Sequence, residues 1–361
     1  MKIVIVSWRD LANPLAGGAE VLVDHLSAGL QERGHEVTLV CGGPVAKRPY
    51  RVLEAGGTYS QYLLAPWKVR TACNDADVLI DCENGIPYFS PLWWSKPSVC
   101  LVHHVHRDQW EDRFPKPVAA VLAAVESKVM PFVYRRRVFV AVSASTASSL
   151  EEIGVDPARI RVAQSGVDLP TSISRAKSPS PLFVAIGRMV PHKRTELLVE
   201  AWKQISAEAG GRLVIIGDGP ELERIRRACR AVGSIELLGR VSDDERTKLL
   251  EEAWLLVTST HHEGWGMTVL EAAACGTPAL SFDVPGIRDV IVDGETGELI
   301  DGEGGDPATT FALAWKALVA DPERLARYGR AARTRAEASS WATTIDAWEA
   351  LLDEVRLPLG S

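Results

Sequence analysis

The chain has 361 residues, 46% of them hydrophobic and 24% charged, with a formal net charge of −7 and six cysteines. Those values suit a soluble globular protein long enough for two domains, and the negative balance argues against a nucleic-acid binder. No stretch approaches the roughly 18–20 uninterrupted apolar residues of a membrane-spanning helix. The opening Met1-Lys2-Ile3-Val4-Ile5-Val6-Ser7-Trp8 is broken by Arg9-Asp10 too soon for a secretory signal, so it reads as a first strand and a cytoplasmic location is expected. Cys41, Cys100 and Cys275 lie in or beside apolar elements and no Cys-x-x-Cys pair occurs, so buried reduced thiols are expected rather than zinc or disulfides.

Residues 2–7 form the first predicted strand, and a loop from Trp8 leads to Gly17-Gly18-Ala19-Glu20. Val21, Leu22, His25, Leu26, Gly29 and Leu30 then recur at helical spacing up to Arg33-Gly34, and residues 35–41 form a second strand. Strand, glycine loop, helix and strand make a βαβ unit with a right-handed crossover. The glycine pair comes too late after the strand for a nicotinamide-binding fingerprint. Asp75-Ala76-Asp77 introduces a strand over Val78–Cys82 and is read as strand initiation, with no metal expected. The buried strand Ser98–Val102 ends in His103-His104-Val105-His106-Arg107-Asp108. Histidines at the carboxyl end of a parallel strand stand where such sheets bind ligands. Residues 117–134 read as an apolar helix ending in Arg135-Arg136-Arg137. That triple charge complements the helix dipole, and a weak peripheral contact with anionic lipid is the second reading. Trp8, Trp67, Trp93, Trp94 and Trp110 crowd this half, and a tryptophan over a sugar face is a common carbohydrate platform.

The Ser/Pro-rich stretch 171–181 marks a linker, after which strand and loop grammar starts afresh. The strand Leu182–Ile186 runs into Gly187-Arg188-Met189-Val190-Pro191-His192-Lys193 and a helix from Thr195. Two cations at a glycine turn and a helix start suit a pyrophosphate. Leu213–Ile216 and the stretch Ile235–Val241 follow as further strands. The most informative stretch is Glu263-Gly264-Trp265-Gly266-Met267-Thr268-Val269-Leu270-Glu271 with the following Ala-Ala-Ala-Cys-Gly-Thr-Pro, placed after the apolar run 254–257. It reads as strand, glycine turn and helix N-terminus, where unpaired N–H groups and a partial charge of roughly half an electron favour an anion. Glu263 in the turn and Glu271 on the helix would bracket a ligand lying across the helix start. The last helix, from Ser340-Trp341, carries Ile345, Trp348, Leu351, Leu352 and Val355 on one stripe.

These motifs, in this order, resemble those of the retaining GT-B glycosyltransferases, in particular family 4, and the resemblance spans residues 2–355. It implies an α/β chain of two Rossmann-like parallel-sheet domains facing a cleft. Residues 1–170, with 341–361 returning as a crossing helix, would be the acceptor domain, and 171–340 the donor domain. The implied reaction is retaining transfer of a hexosyl group from a nucleotide-diphosphate sugar to a glycan, a lipid-linked glycan or a small natural product. UDP is favoured, with GDP, ADP and dTDP open. A GT-B epimerase or hydrolase and a non-catalytic nucleotide-sugar-binding protein are the alternatives.

The resemblance also implies residue roles. Arg188 and Lys193 would clamp the diphosphate, Glu263 would hold donor-sugar hydroxyls and Glu271 the ribose. His103, or His104 in its place, would approach the donor sugar. Gly17 and Gly18 would face the donor phosphate, Gly187 would form the clamp's turn, and Arg240 and Val241 would lie at the nucleobase. Gly264, Trp265, Gly266, Met267 and Thr268 would shape the donor turn and helix start. Trp8, His106, Arg107 and Trp110 would line the acceptor side. Ser165 stands where the family's Asn-Gly-Val-Asp segment has its Asn. No metal or cofactor is implied beyond the nucleotide-sugar co-substrate.

Overall fold

The structure, a computed structural model, describes residues 1–107, 109–112, 114–170, 176–302 and 304–356. It divides into two compact units, Met1–Gly166 with Trp341–Ser361, and Val167–Ser340. The border falls at 166 rather than 170 because Val167 donates its N–H to Ser339 O and bridges Ser340, which ties it to the second unit. The first five residues of the linker expected over 171–181 lie outside the described residues.

In the first unit the strands are β1 (Lys2–Arg9), β2 (Glu36–Gly42), β3 (Arg51–Glu54), β4 (Val78–Glu83), β5 (Ser98–Val102), β6 (Val138–Ala141) and β7 (Ile160–Val162). They form one sheet in the order β3-β2-β1-β4-β5-β6-β7, with parallel ladders throughout. Ile3 to Val6 are at most 1% exposed. Such unbroken apolar strands, rather than alternating ones, are what a parallel sheet covered on both faces requires. The helices are α1 (Gly18–Glu32), α2 (Gln61–Ala72), α3 (Lys116–Ala124), α4 (Met130–Val133) and α5 (Ala144–Glu152). The helix expected over 117–134 is interrupted, because Val125–Val129 forms a π turn between α3 and α4. Met130 there donates to Val125 O, five residues back, and Pro131 brings no N–H to resume the ladder at once.

The second unit holds β8 (Leu182–Ile186), β9 (Arg212–Ile216), β10 (Ile235–Gly239), β11 (Leu255–Thr258), β12 (Ala279–Phe282) and β13 (Gly297–Ile300). Their order is β10-β9-β8-β11-β12-β13, again parallel. Its helices are α6 (Thr195–Ala209), α7 (Leu222–Cys229), α8 (Asp243–Glu252), α9 (Met267–Ala274), α10 (Pro307–Val319) and α11 (Pro322–Glu337). Phe183, Trp202, Phe311 and Trp315 fill its core.

The last helix, α12 (Trp341–Arg356), belongs to the first unit and packs on α1. Gly29 is what lets them approach, since a Cβ there would sit 1.9 Å from Ile345 Cδ1. His25 stacks on Trp341 with centroids 4.1 Å apart and planes within 4°, and Glu349 meets both Arg33 and His35 Nε2. The helical stripe of α12 and the small residue in α1 are therefore two halves of one contact.

Candidate functional site

Each sheet reverses its strand order once, between β1 and β4 in the first unit and between β8 and β11 in the second. Helices leave opposite faces at such a point, so the strand ends there open a crevice for a ligand. In the second unit the loop after β8 carries Gly187, Arg188 and Lys193, and the loop after β11 carries Glu263. Lys193 Nζ forms an ion pair with Glu263 Oε2, both side chains being about one-fifth exposed. Ser259 fixes this meeting by donating to the carbonyls of Lys193 (3.0 Å) and Arg194 (2.8 Å). Arg194 answers from Nε to Ser259 O at 2.7 Å. Arg188 is half-buried and has no carboxylate partner among the described residues. One cation is thus held against a carboxylate, and a second, on the same loop, has no carboxylate partner among the described residues.

Below the ion pair, Gly266 caps α9 with φ +76°, and Met267 and Thr268 in its first turn are half-buried. Gly286, at φ +81°, closes on this turn, because a Cβ there would lie 2.3 Å from Glu263 O. Glu271 projects from the middle of α9. Its Oε1 lies 3.4 Å from Arg246 Nη2, while Oε2 is buried and has no hydrogen-bond partner. Burial pushes this carboxyl above its usual range, against the opposing pull of the Arg246 charge. An acceptor atom held out of water and unmatched is a group awaiting a donor. Arg246 was not legible from sequence, because α8 carries no motif of its own.

The remaining predicted donor residues divide. Gly187 and Gly264 are half-buried at the same strand ends, and Arg240 and Val241 follow β10, with Arg240 exposed 3.7 Å from Asp218. Trp265, expected to help shape the donor turn, is only 5% exposed and belongs to the unit's interior. In the first unit Gly17 caps α1 and donates its N–H to Glu20 Oε2 at 2.7 Å, with Gly18 the helix's first residue.

His103 follows β5 directly, is 7% exposed, and leaves Nε2 without a hydrogen-bond partner. Burial lowers its pKa to about 4, so the ring is neutral at pH 7. His104 is half-buried, its ring 3.8 Å from that of His106. Here the acceptor-side expectation needs correction. His106 and Trp110 are 4% and 6% exposed and turn inward to one carboxylate. Glu126 Oε1 accepts from the His106 N–H at 2.5 Å, and Oε2 accepts from Trp110 Nε1 at 3.1 Å. Arg107 is exposed, 3.6 Å from Glu152, and Trp8 is half-buried beneath the Arg9 guanidinium. Of the other tryptophans, Trp94 is buried and Trp67 is 61% exposed.

Glu126 comes from the π turn, which is how a carboxylate enters this interior. Glu83, at the end of β4, joins it, and burial followed by the Glu126 charge pushes Glu83 well above the usual carboxylate range. Among the described residues Glu83, His106 and Glu126 form a group that could hold a metal ion, with ligand atoms within 4.8 Å of one another. Their oxygens are already engaged in part, Glu83 Oε1 accepting the Gly85 N–H. Glu83 Oε2 is buried without a hydrogen-bond partner, and a proton on one of the two carboxylates would relieve their repulsion without a cation. Asp75 and Asp77, by contrast, tie down the start of β1. The Lys2 side chain meets Asp75, and the Lys2 N–H donates to Asp77 Oδ2 at 2.8 Å.

Residues 16–170 match the family model described as Glycosyltransferase Family 4, and residues 171–335 the one described as Glycosyl transferases group 1. The chain is 33% identical over 283 residues to a D-inositol 3-phosphate glycosyltransferase of Geodermatophilus obscurus, covering 70% of this chain and 60% of that one. To the protein of the same name from Gordonia bronchialis it is 30% identical over 223 residues, 54% of this chain and 47% of the relative. The chain thus spans about half the length of the curated relatives it matches. Among solved structures it is similar to sucrose-phosphate synthase from Thermosynechococcus elongatus, with a TM-score of 0.80, 18% identity and 98% of both chains covered. It is also similar to Anabaena HepE in complex with UDP and glucose, with a TM-score of 0.77, 16% identity, and 98% of this chain and 100% of that one covered. Matched by these two models in succession from residue 16 to residue 335 and folded as two parallel sheets, the chain belongs to the group 1 glycosyltransferases of the GT-B fold.

Proposed function

We propose that this chain transfers a hexosyl group, with retention of anomeric configuration, from a nucleotide-diphosphate sugar to a hydroxyl of a carbohydrate acceptor. The observation that carries the reading is the Lys193–Glu263 ion pair at the switch point of the second unit, with Arg188 on the same loop as Lys193 and the unmatched Glu271 Oε2 on the helix that follows Glu263. In the transfer the bond from the anomeric carbon to the diphosphate oxygen breaks and a bond to the acceptor oxygen forms. The acceptor's proton leaves on the diphosphate. Negative charge therefore builds on the diphosphate, where Lys193, Arg188 and the start of α9 would act, and their effect on rate is what they add in the transition state over the ground state. Glu263 would hold sugar hydroxyls. Glu271 Oε2 would accept from a ribose hydroxyl, and a neutral His103, or His104, would serve on the sugar side. UDP is the favoured nucleotide, in keeping with the UDP and glucose named for the HepE complex. The acceptor class includes lipid-linked glycans, small natural products and cyclitol phosphates of the kind named for the relatives. No metal is required in this scheme, because the two cations supply the positive charge.

The test is thermal stabilisation by UDP, GDP, ADP and dTDP and their sugars, in wild type and in Glu271→Ala. A ligand at about 100 times its Kd adds about 2.7 kcal/mol to stability. One nucleotide should stabilise the wild type and lose most of that effect in the variant. Stabilisation by none of them would overturn the donor-site reading.

A further inference from the structure

The second unit has a cleft at the edge of its sheet opposite the donor residues. Lys193 and Glu263 follow β8 and β11, at the carboxyl ends of the strands. The residues that wall this cleft instead precede strands: Ser178 leads to β8, Trp254 adjoins the start of β11 and Pro278 the start of β12. With α11 they enclose about 630 Å³, a volume that suits a small organic ligand. Two glycines bring its walls together. Gly276 follows α9 at φ +67°, and a Cβ on Gly329 would lie 2.4 Å from Gly276 O, so α11 meets the end of α9 with no side chain between them.

The lining divides by chemistry. Trp254, Pro278, Pro322 and Leu325 give flat apolar walls, and the indole is held in place by its Nε1–H, which donates to Ser178 O at 2.8 Å. Lys177, Arg330 and Arg333 bring three cations against one carboxylate, Glu337. Arg333 accounts for that carboxylate, with Nε 2.8 Å from Glu337 Oε1, and its Nη atoms donate to Ala274 O and Pro170 O. Arg330 is exposed and has no carboxylate partner among the described residues. Lys177 donates to Thr277 Oγ1, which leaves two of the three ammonium donors unmatched among the described residues. Lys177 is exposed as a residue, yet the protein packed about its ammonium lowers the pKa to about 8, against the opposing effect of Cys275 and Glu251. Two cations short of counter-charge beside a flat apolar wall, in a chain of net charge −7, are complementary to an anion with an apolar body.

We propose that this cleft binds an aromatic carboxylate. The ring would lie against Trp254 and Pro278, and the carboxylate would accept hydrogen bonds from Lys177 and Arg330. The cleft shares no residue with the donor site, so this inference stands or falls independently of the donor reading.

Fluorescence titration of the full chain with pyrenebutyrate tests it, beside the neutral pyrenebutanol. The acid should bind saturably and about ten- to a hundredfold more tightly than the alcohol, the worth of a charge-assisted hydrogen bond. Arg330→Glu should weaken the acid by at least about tenfold and leave the alcohol unchanged. Ala326→Trp, which fills the cleft from α11, should weaken both. Ala326 and Arg330 are exposed, so Tm should match wild type, which separates loss of the site from loss of the fold. Binding should persist at saturating UDP and in Lys193→Ala. No saturable binding, equal affinity for acid and alcohol, wild-type affinity in either cleft variant, displacement by UDP, or loss of binding in Lys193→Ala overturns the proposal.

Discussion

Replacing Lys193 by Ala removes the positive partner of Glu263 and one of the two cations proposed to meet the diphosphate. The pair is partly buried, with side chains 18% and 22% exposed, so its bond is screened less than a surface pair's. A charge-assisted hydrogen bond is worth about 1.5–3 kcal/mol, which becomes about a ten- to hundredfold loss in kcat/KM if it acts on the transition state. The folding cost should be smaller, about 1 kcal/mol, and a shift of about 2–4 °C in Tm. The assay is release of nucleoside diphosphate, with kcat and KM separated. A fall confined to kcat marks an interaction made in the transition state, and a rise confined to KM marks uniform binding. Lys193→Arg keeps the charge and should recover part of the rate. Turnover by Lys193→Ala equal to wild type, at unchanged Tm, would remove Lys193 from the mechanism and refute the clamp.

Three further outcomes follow from burial and packing. His103, lowered to about 4 by burial, favours the folded state when neutral. Its stabilising effect is therefore present above the unfolded pKa near 6.5 and is lost as pH falls through that value towards 4. Urea unfolding at pH 7 and pH 4.5 should show His103→Gln losing less stability than wild type by on the order of 2–3 kcal/mol; equal losses would contradict the burial reading. Gly29→Ala should destabilise by about 1–3 kcal/mol through the clash with Ile345, and Ile345→Val should recover part of it. Independent, additive effects would show that α1 and α12 do not meet there. A chelator should leave turnover unchanged, and Glu83→Gln should keep the fold, because burial and the Glu126 charge favour the uncharged form of Glu83, which Gln imitates. Chelator-sensitive activity that Glu83→Gln abolishes would point instead to a metal held by Glu83, His106 and Glu126.

Much of this architecture was legible in the sequence because parallel sheets write themselves plainly. Ile3–Val6, Leu79–Ile80 and Leu255–Val257 are unbroken apolar runs, and the glycine turns that follow mark the strand ends at which the candidate site lies. The spacing of Glu263 and Glu271 across Gly266 likewise needs only a helix start between them. What escaped was set by tertiary contact. Helix α2 carries its exposed Leu63 and Trp67 without an apolar stripe, and Pro66 lies inside it. The π turn brings Glu126 to the His106 N–H, a bond between residues 20 apart. His106 and Trp110 are expected on the acceptor side from the resemblance, and the bonds to the buried Glu126 carboxylate account for their turning inward. Arg246 reaches Glu271 from a helix whose sequence shows no more than a solvated face.

The central claim, sugar transfer from a nucleotide donor, is tested most directly by incubating the protein with labelled UDP-sugars and a panel of carbohydrate acceptors, with product configuration read by NMR. The account predicts UDP release that depends on acceptor and a glycoside of the same anomeric configuration as the donor. Donor cleavage at the same rate without acceptor, or a product of inverted configuration, would contradict it.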